Sequence, residues 1–120
     1  TFDSLVRLIV KHNKTRIVLL HGGAINVLNL SEIIRQTDNV LLDLSFTLVK
    51  YEGSSVDFDI SYLFRNFDRR ICIGSDFPEI TYKKMRERFE FFSKDISEIK
   101  IRNIVHVNLA NFLKTGAHVF

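Results

Sequence analysis

RIVLLHGG, residues 16–23, sets four apolar residues without a break between a basic residue and a histidine followed by two glycines. A short, uninterrupted β-branched and aliphatic run of this kind is the pattern of a strand buried on both faces in a parallel sheet. The glycines mark a turn that uses positive φ, so His21 stands where a buried strand stops. Two further runs repeat the pattern: NVLLDLS (39–45), and residues 71–74 inside RRICIGSDFP (69–78), which halts at Pro78, the only proline.

Helical spacing fills the intervals. Apolar positions Phe2, Leu5, Val6, Ile9 and Val10 predict an amphipathic helix over 2–12, with Asp3 or Ser4 as its cap. The same period returns over 27–36, over 59–67 (Ile60, Leu63, Phe64, Phe67) and over 79–93. Asp95 or Ser97 could cap a last helix that runs to Gly116 in one or two pieces. Residues 46–59 are expected to be irregular, with Gly53-Ser54-Ser55 as the turn signal. Strands alternating with helices imply βαβ units, right-handed crossovers and a parallel sheet. Strand starts near 17, 40 and 71 lie 23 and 31 residues apart, which brackets the roughly 30 residues per unit of an eight-unit barrel.

Three apolar strands make a poor sheet, because both edges stay open and each strand calls for cover on two faces. The expectation is a single partial domain over residues 1–120. Its barrel would be completed by a missing N-terminal part or by another copy in a homo-oligomer.

Hydrophobic residues make up 46% and charged residues 26% of the 120, the balance of an ordinary packed domain. The formal charge of +3 is spread along the chain, with short basic knots at Arg69-Arg70 and Lys83-Lys84. That reads as solvated surface rather than a nucleic-acid footprint, which gathers charge on one face. No apolar stretch approaches the ~20 residues that span a bilayer. Cys72 is the only cysteine, so no internal disulfide forms, and a reducing cytoplasm is the expected compartment. Mid-strand, Cys72 reads as a buried small apolar residue.

Sites in parallel α/β folds form beyond the carboxyl ends of the strands. The residues there are His21, Asp43 with Ser45, and Ser75 with Asp76. Each has a plain explanation alone: His21 as a packing residue, Asp43 as a paired carboxylate or strand-end cap, Asp76 as the start of an Asx-turn. Taken together, an imidazole and a carboxylate at the tips of separate strands face one crevice. His12, His106 and His118 lack the spacing of a zinc site and read as structural or solvated. The HGGAIN turn also admits a second reading, a non-enzymatic module that holds phosphate or another anion on backbone N–H groups. A third is a degenerate barrel serving as a scaffold.

LLHGG, NVLLDLS, RRICIGSDFP and IVHVNLANFL, in that order and spacing, resemble the closing part of the metal-dependent hydrolases of the amidohydrolase superfamily. The nearest branch is the amidohydrolase-related group that includes the aminocarboxymuconate-semialdehyde decarboxylase type. The resemblance implies a TIM (β/α)₈ barrel of which this chain supplies strands six to eight, about three βα units, and the terminal helices. It implies a divalent metal, zinc foremost, bound by Asp76, which also exchanges a proton with an attacking water. His21 would hydrogen-bond that water or a small-molecule substrate, and Asn108 would serve structurally in the closing helix. The loop over residues 46–55 would contact substrate. The family's first-strand His-x-His pair and strand-five histidine have no counterpart in these residues. Zinc sites use about three protein ligands, so this polypeptide alone is expected to be inactive, and any enzyme is the intact protein.

Overall fold

The computed structural model describes residues 2–114; the expected helix end at Gly116 and the tail residue His118 lie outside them. Helix α1 (Phe2–Lys11) leads into strand β1 (Ile17–Leu20), and a tight turn over His21–Asn26 leads into α2 (Val27–Ile34). Strand β2 (Val40–Asp43) is followed by a one-turn helix α3 (Thr47–Lys50) and by α4 (Val56–Asn66). Strand β3 (Ile71–Cys72) precedes α5 (Tyr82–Ser93). The last helical run comprises α6 (Glu98–Arg102), a π turn (Asn103–Val107) and α7 (Asn108–Lys114).

The strands form one parallel sheet in the order β1-β2-β3. Leu19 sits beside Leu42 and Leu42 beside Ile71, while Leu20 sits beside Asp43 and Asp43 beside Cys72. Because side chains alternate along a strand, this register sorts the sheet into two faces. Val40, Leu42 and Ile71 enter the main core with Ile9, Val27, Ile34, Ile60, Leu63, Phe64 and Phe92, and Ile17 and Leu19 pack against it. Val18, Leu20, Leu41, Asp43 and Cys72 point the other way. On the edge strand that second face is open: Val18 is 40% and Leu20 66% exposed.

Polar clamps hold the amino ends of the strands. Arg70 donates to the Val40 carbonyl from Nε (3.2 Å) and Nη2 (2.8 Å), and to the Thr37 carbonyl from Nη1 (2.7 Å). Arg70 therefore does not belong to the solvated basic surface its sequence suggested; burial lowers its pKa, and Asp38 partly offsets this. Asn39 donates to the carbonyls of His12 (3.0 Å) and Thr15 (2.9 Å), tying the α1–β1 connection to β2. Asn108, buried at the start of α7, donates to the Ile71 carbonyl at 2.8 Å and to the Asp68 carbonyl. Its amide locks the closing helix onto the start of β3. Arg16 Nη1 donates to the carbonyls of Phe112 (3.0 Å) and Leu113 (2.9 Å), two of the carbonyls at the C-terminal end of α7.

Several boundaries differ from the sequence reading. Helix α1 begins at Phe2, so Asp3 lies in the first turn instead of capping it. The 46–59 stretch is not irregular throughout. It contains α3, and α4 starts three residues earlier than Asp59, where Ser54 Oγ accepts from the Val56 N–H and Asp57 accepts from the Gly53 N–H. Helix α5 begins at Tyr82, not Glu79, because Thr81 Oγ1 accepts from the Lys84 N–H. Ser97, not Asp95, caps α6. Among the described residues, no helix is long and apolar enough to cross a membrane.

Gly23 is required on two counts. Its φ is +78°, and an added Cβ would stand 2.0 Å from Leu30 Cδ1. Gly53 shares the positive φ, +85°, but has nothing within 4 Å of the same point. Gly23→Ala should cost about 2–4 kcal/mol, the left-handed penalty plus overpacking. Gly53→Ala should cost only about 1–2 kcal/mol, the backbone part alone. Urea midpoints of the two variants of the full-length protein check the difference.

Candidate functional site at the carboxyl ends of the strands

All three strands end on the same side, and the turns that follow them share an unusual backbone. His21 (φ 64°), Ala24 (φ 54°), Phe46 (φ 67°) and Asp76 (φ 62°) are non-glycine residues in the left-handed region. Each such residue costs on the order of 1–3 kcal/mol and persists only where surrounding contacts hold it. Every one of them lies just past a strand end.

Hydrogen bonds and ring packing hold His21 in this conformation. At the end of β2, Asp43 Oδ1 accepts from the Ser45 N–H (3.0 Å) and Oδ2 from the Ser45 hydroxyl (2.8 Å), so Asp43 is a strand-end cap. Ser45, fixed in this way, presents its carbonyl to His21 Nδ1 at 2.9 Å. The Thr47 hydroxyl donates to the His21 carbonyl at 2.5 Å. Between them, the Phe46 ring packs against the imidazole, with centroids 5.2 Å apart and planes tilted by 54°. Three successive residues after β2 thus grip the one residue after β1.

A carbonyl can only accept, so Nδ1 of His21 carries the proton that bonds Ser45, and in the neutral ring Nε2 carries the lone pair. Nε2 faces Asp76 Oδ2 at 3.9 Å, with the two side chains 38% and 37% exposed. That separation exceeds a hydrogen bond, and both groups remain open to solvent. The turn after β3 is closed without the Asp76 carboxylate. Ser75 Oγ accepts from the Phe77 N–H (3.1 Å) and the Asp76 carbonyl from the Glu79 N–H (3.0 Å). The structure therefore brings His21 and Asp76 together and leaves Asp43 and Ser45 as their support.

The remaining sequence candidates lie elsewhere. His12 is exposed in the turn just after α1, not within the helix as its spacing suggested, and His106 is exposed on the π turn. Among the described residues, no group of three or more His, Cys, Asp or Glu side chains could hold a metal ion. Cys72 sits beside Asp43 in the sheet; burial, and then the Asp43 charge, push its thiol up to about 12.

Arg88 is the residue that sequence reading passed over. It is 4% exposed, on the core-facing side of α5 with Met85 and Phe92. Nε donates to the Leu48 carbonyl of α3 at 3.0 Å, Nη2 pairs with Asp57, and Nη1 lies 3.8 Å from Glu52. Its guanidinium packs over the Phe91 and Phe92 rings at 5.0 and 4.7 Å. Glu52, held below the usual carboxylate range first by its hydrogen bond from Lys84 and then by the Arg88 charge, completes the cluster. The only hint in the sequence was an arginine at helical spacing from Met85 and Phe92.

Neither a family model nor a curated protein matches the sequence. Among solved structures, the chain is similar to an uncharacterized TIM-barrel protein from Bordetella bronchiseptica, with a TM-score of 0.73 and 18% identity. The match covers 94% of this chain and 39% of that one. The fold is part of a TIM barrel. The chain therefore spans well under half of the barrel protein it matches, and its strand ends correspond to the barrel face where TIM-barrel sites form. The second sheet face, with Val18, Leu20, Asp43 and Cys72, is the one a barrel turns inward.

Three outcomes follow from these contacts. Arg88→Met should destabilise the full-length protein by about 3–5 kcal/mol, since Asp57 and the Leu48 carbonyl lose a buried partner; denaturant titration reads this. The Cys72 thiol should resist iodoacetamide at pH 8 in the native state and react at the rate of a free thiol in denaturant, as mass spectrometry would follow. Because the folded thiol binds its proton up to about 12, above an ordinary value near 8.5, folding stability should decline as pH rises through that window.

Proposed function

We propose that this chain carries the strand-six to strand-eight part of a metal-dependent hydrolase or decarboxylase barrel of the amidohydrolase-related type. The observation that supports it is the meeting of His21 Nε2 and Asp76 Oδ2 at 3.9 Å, from separate strands, on the carboxyl side of the sheet. The ordered motifs LLHGG, NVLLDLS and GSDFP agree with that placement.

The donor set fits part of a metal site. Asp76 offers an exposed carboxylate, whereas both oxygens of Asp43 are taken by Ser45. A catalytic zinc takes about three protein ligands and an open position, so such a site would need further ligands from other strands of the barrel. Such a site, with a divalent ion in place, would provide a water acidic near neutral pH and Lewis-acid polarisation of a carbonyl. Asp76 would hold the metal and accept a proton from the water. His21 would take a hydrogen bond at Nε2 from that water or from a substrate hydroxyl and, once protonated, donate to a developing oxyanion. The Phe46 ring, beside the imidazole, would wall the substrate side. Amides, esters or lactones, and carboxylates that lose carbon dioxide, are the substrate classes.

The alternative is an anion held on backbone N–H groups of the HGGAIN turn, whose glycines also have a packing reason. Gly22 and Gly23 are accounted for by close packing: an added Cβ would meet Leu44 Cδ2 at 2.9 Å and Leu30 Cδ1 at 2.0 Å, respectively.

Full-length protein should hold about one divalent metal per chain by elemental analysis and turn over at least one member of a panel of activated esters, lactones, amides and carboxylates. Asp76→Asn should lower turnover at least about a hundredfold with circular dichroism unchanged. Turnover preserved in Asp76→Asn, or inorganic phosphate binding to metal-free protein, would overturn the proposal.

A further inference from the structure

Thr47 is completely buried, yet its hydroxyl does not cap its own helix; it crosses to the His21 carbonyl, 26 residues earlier in the chain. A buried hydroxyl needs a partner, but the partner chosen here is the carbonyl of a residue in the left-handed region. Rotation of the His21 backbone toward an ordinary φ would swing that carbonyl away and break the bond. The same rotation would lift Nδ1 off the Ser45 carbonyl, its partner at 2.9 Å. Thr47 is also held from behind: the next residue, Leu48, gives its carbonyl to buried Arg88. The hydroxyl is therefore delivered from a fixed helix to a strained residue.

We propose that Thr47 is a positioning residue for His21. Its hydroxyl holds the left-handed backbone, which keeps Nδ1 on Ser45, fixes the Nδ1–H tautomer and aims the Nε2 lone pair at Asp76. The proposal rests on the site reading given above for His21, but its first readout does not. Ser45 and Phe46 complete the grip, and Thr47 is the member whose contact reaches the backbone of His21.

The test uses full-length protein labelled with ¹⁵N-histidine, with His21 signals assigned by their loss in His21→Gln. Near pH 8.5, about two units above an ordinary imidazole, long-range proton–nitrogen spectra should show His21 in a single Nδ1–H tautomer. Thr47→Val, nearly isosteric, should convert this into a mixture, and Thr47→Ser should restore it. On any panel substrate that is turned over, Thr47→Val should lower kcat about tenfold to a hundredfold with KM within about twofold, and Thr47→Ser should recover most of the loss. If the valine protein does not fold, Thr47→Ala takes its place. A folded variant that keeps the single tautomer overturns the proposal, as does one whose kcat matches wild type. Absence of metal and turnover in wild type would instead overturn the hydrolase reading, and the tautomer spectra would still decide the role of Thr47.

Discussion

Parallel strand pairing is the constraint on which the rest depends. The register that sets Leu20 beside Asp43 and Asp43 beside Cys72 makes all three strands stop on one side. The residues that follow them are then neighbours in space although they are 55 positions apart in the chain, as His21 and Asp76 are. An antiparallel β2 would have sent Ser45, Phe46 and Thr47 to the far end, away from His21. The same register gives each strand one face for the helices and one for the inside of a barrel, so β2 is apolar on both faces until Asp43.

The strand ends are where the fold departs from local preference. Four non-glycine residues with positive φ would cost an isolated peptide several kcal/mol in all. His21 is kept there by contacts from rigid neighbours: Ser45 braced by Asp43, Thr47 braced by its helix, and α3 braced by Arg88. Glycines 22 and 23 let the turn lie directly on Leu44 and Leu30. The imidazole thus stays part-exposed while Ser45, Thr47 and Arg88, which position it directly or through α3, are buried.

The amino ends of the strands show the opposite arrangement. Arg70, Asn39, Asn108 and Arg16 all spend their donors on backbone carbonyls. Their acceptors lie in the turns before β1 and β2, in the strands themselves and at the end of α7, so these polar side chains tie that end of the sheet to its surroundings. Asn108 in particular has the structural role its place in the closing helix implied.

Residue pattern alone was enough for the strands, most of the helices and the two residues that meet at the mouth. Unbroken apolar runs and 3.6-residue spacing report burial, and burial follows from composition along a few turns of chain. The one-turn helix after β2 escaped notice because four residues carry no period. Thr47, Phe46 and Arg88 escaped for a different reason. A threonine hydroxyl that crosses to another strand's turn and an arginine buried under two phenylalanine rings are specified by partners far away in sequence. Local pattern determined which residues leave water and where the chain turns. Only tertiary structure decided which nitrogen of His21 holds the proton and what it faces, because those choices belong to contacts between separate strands.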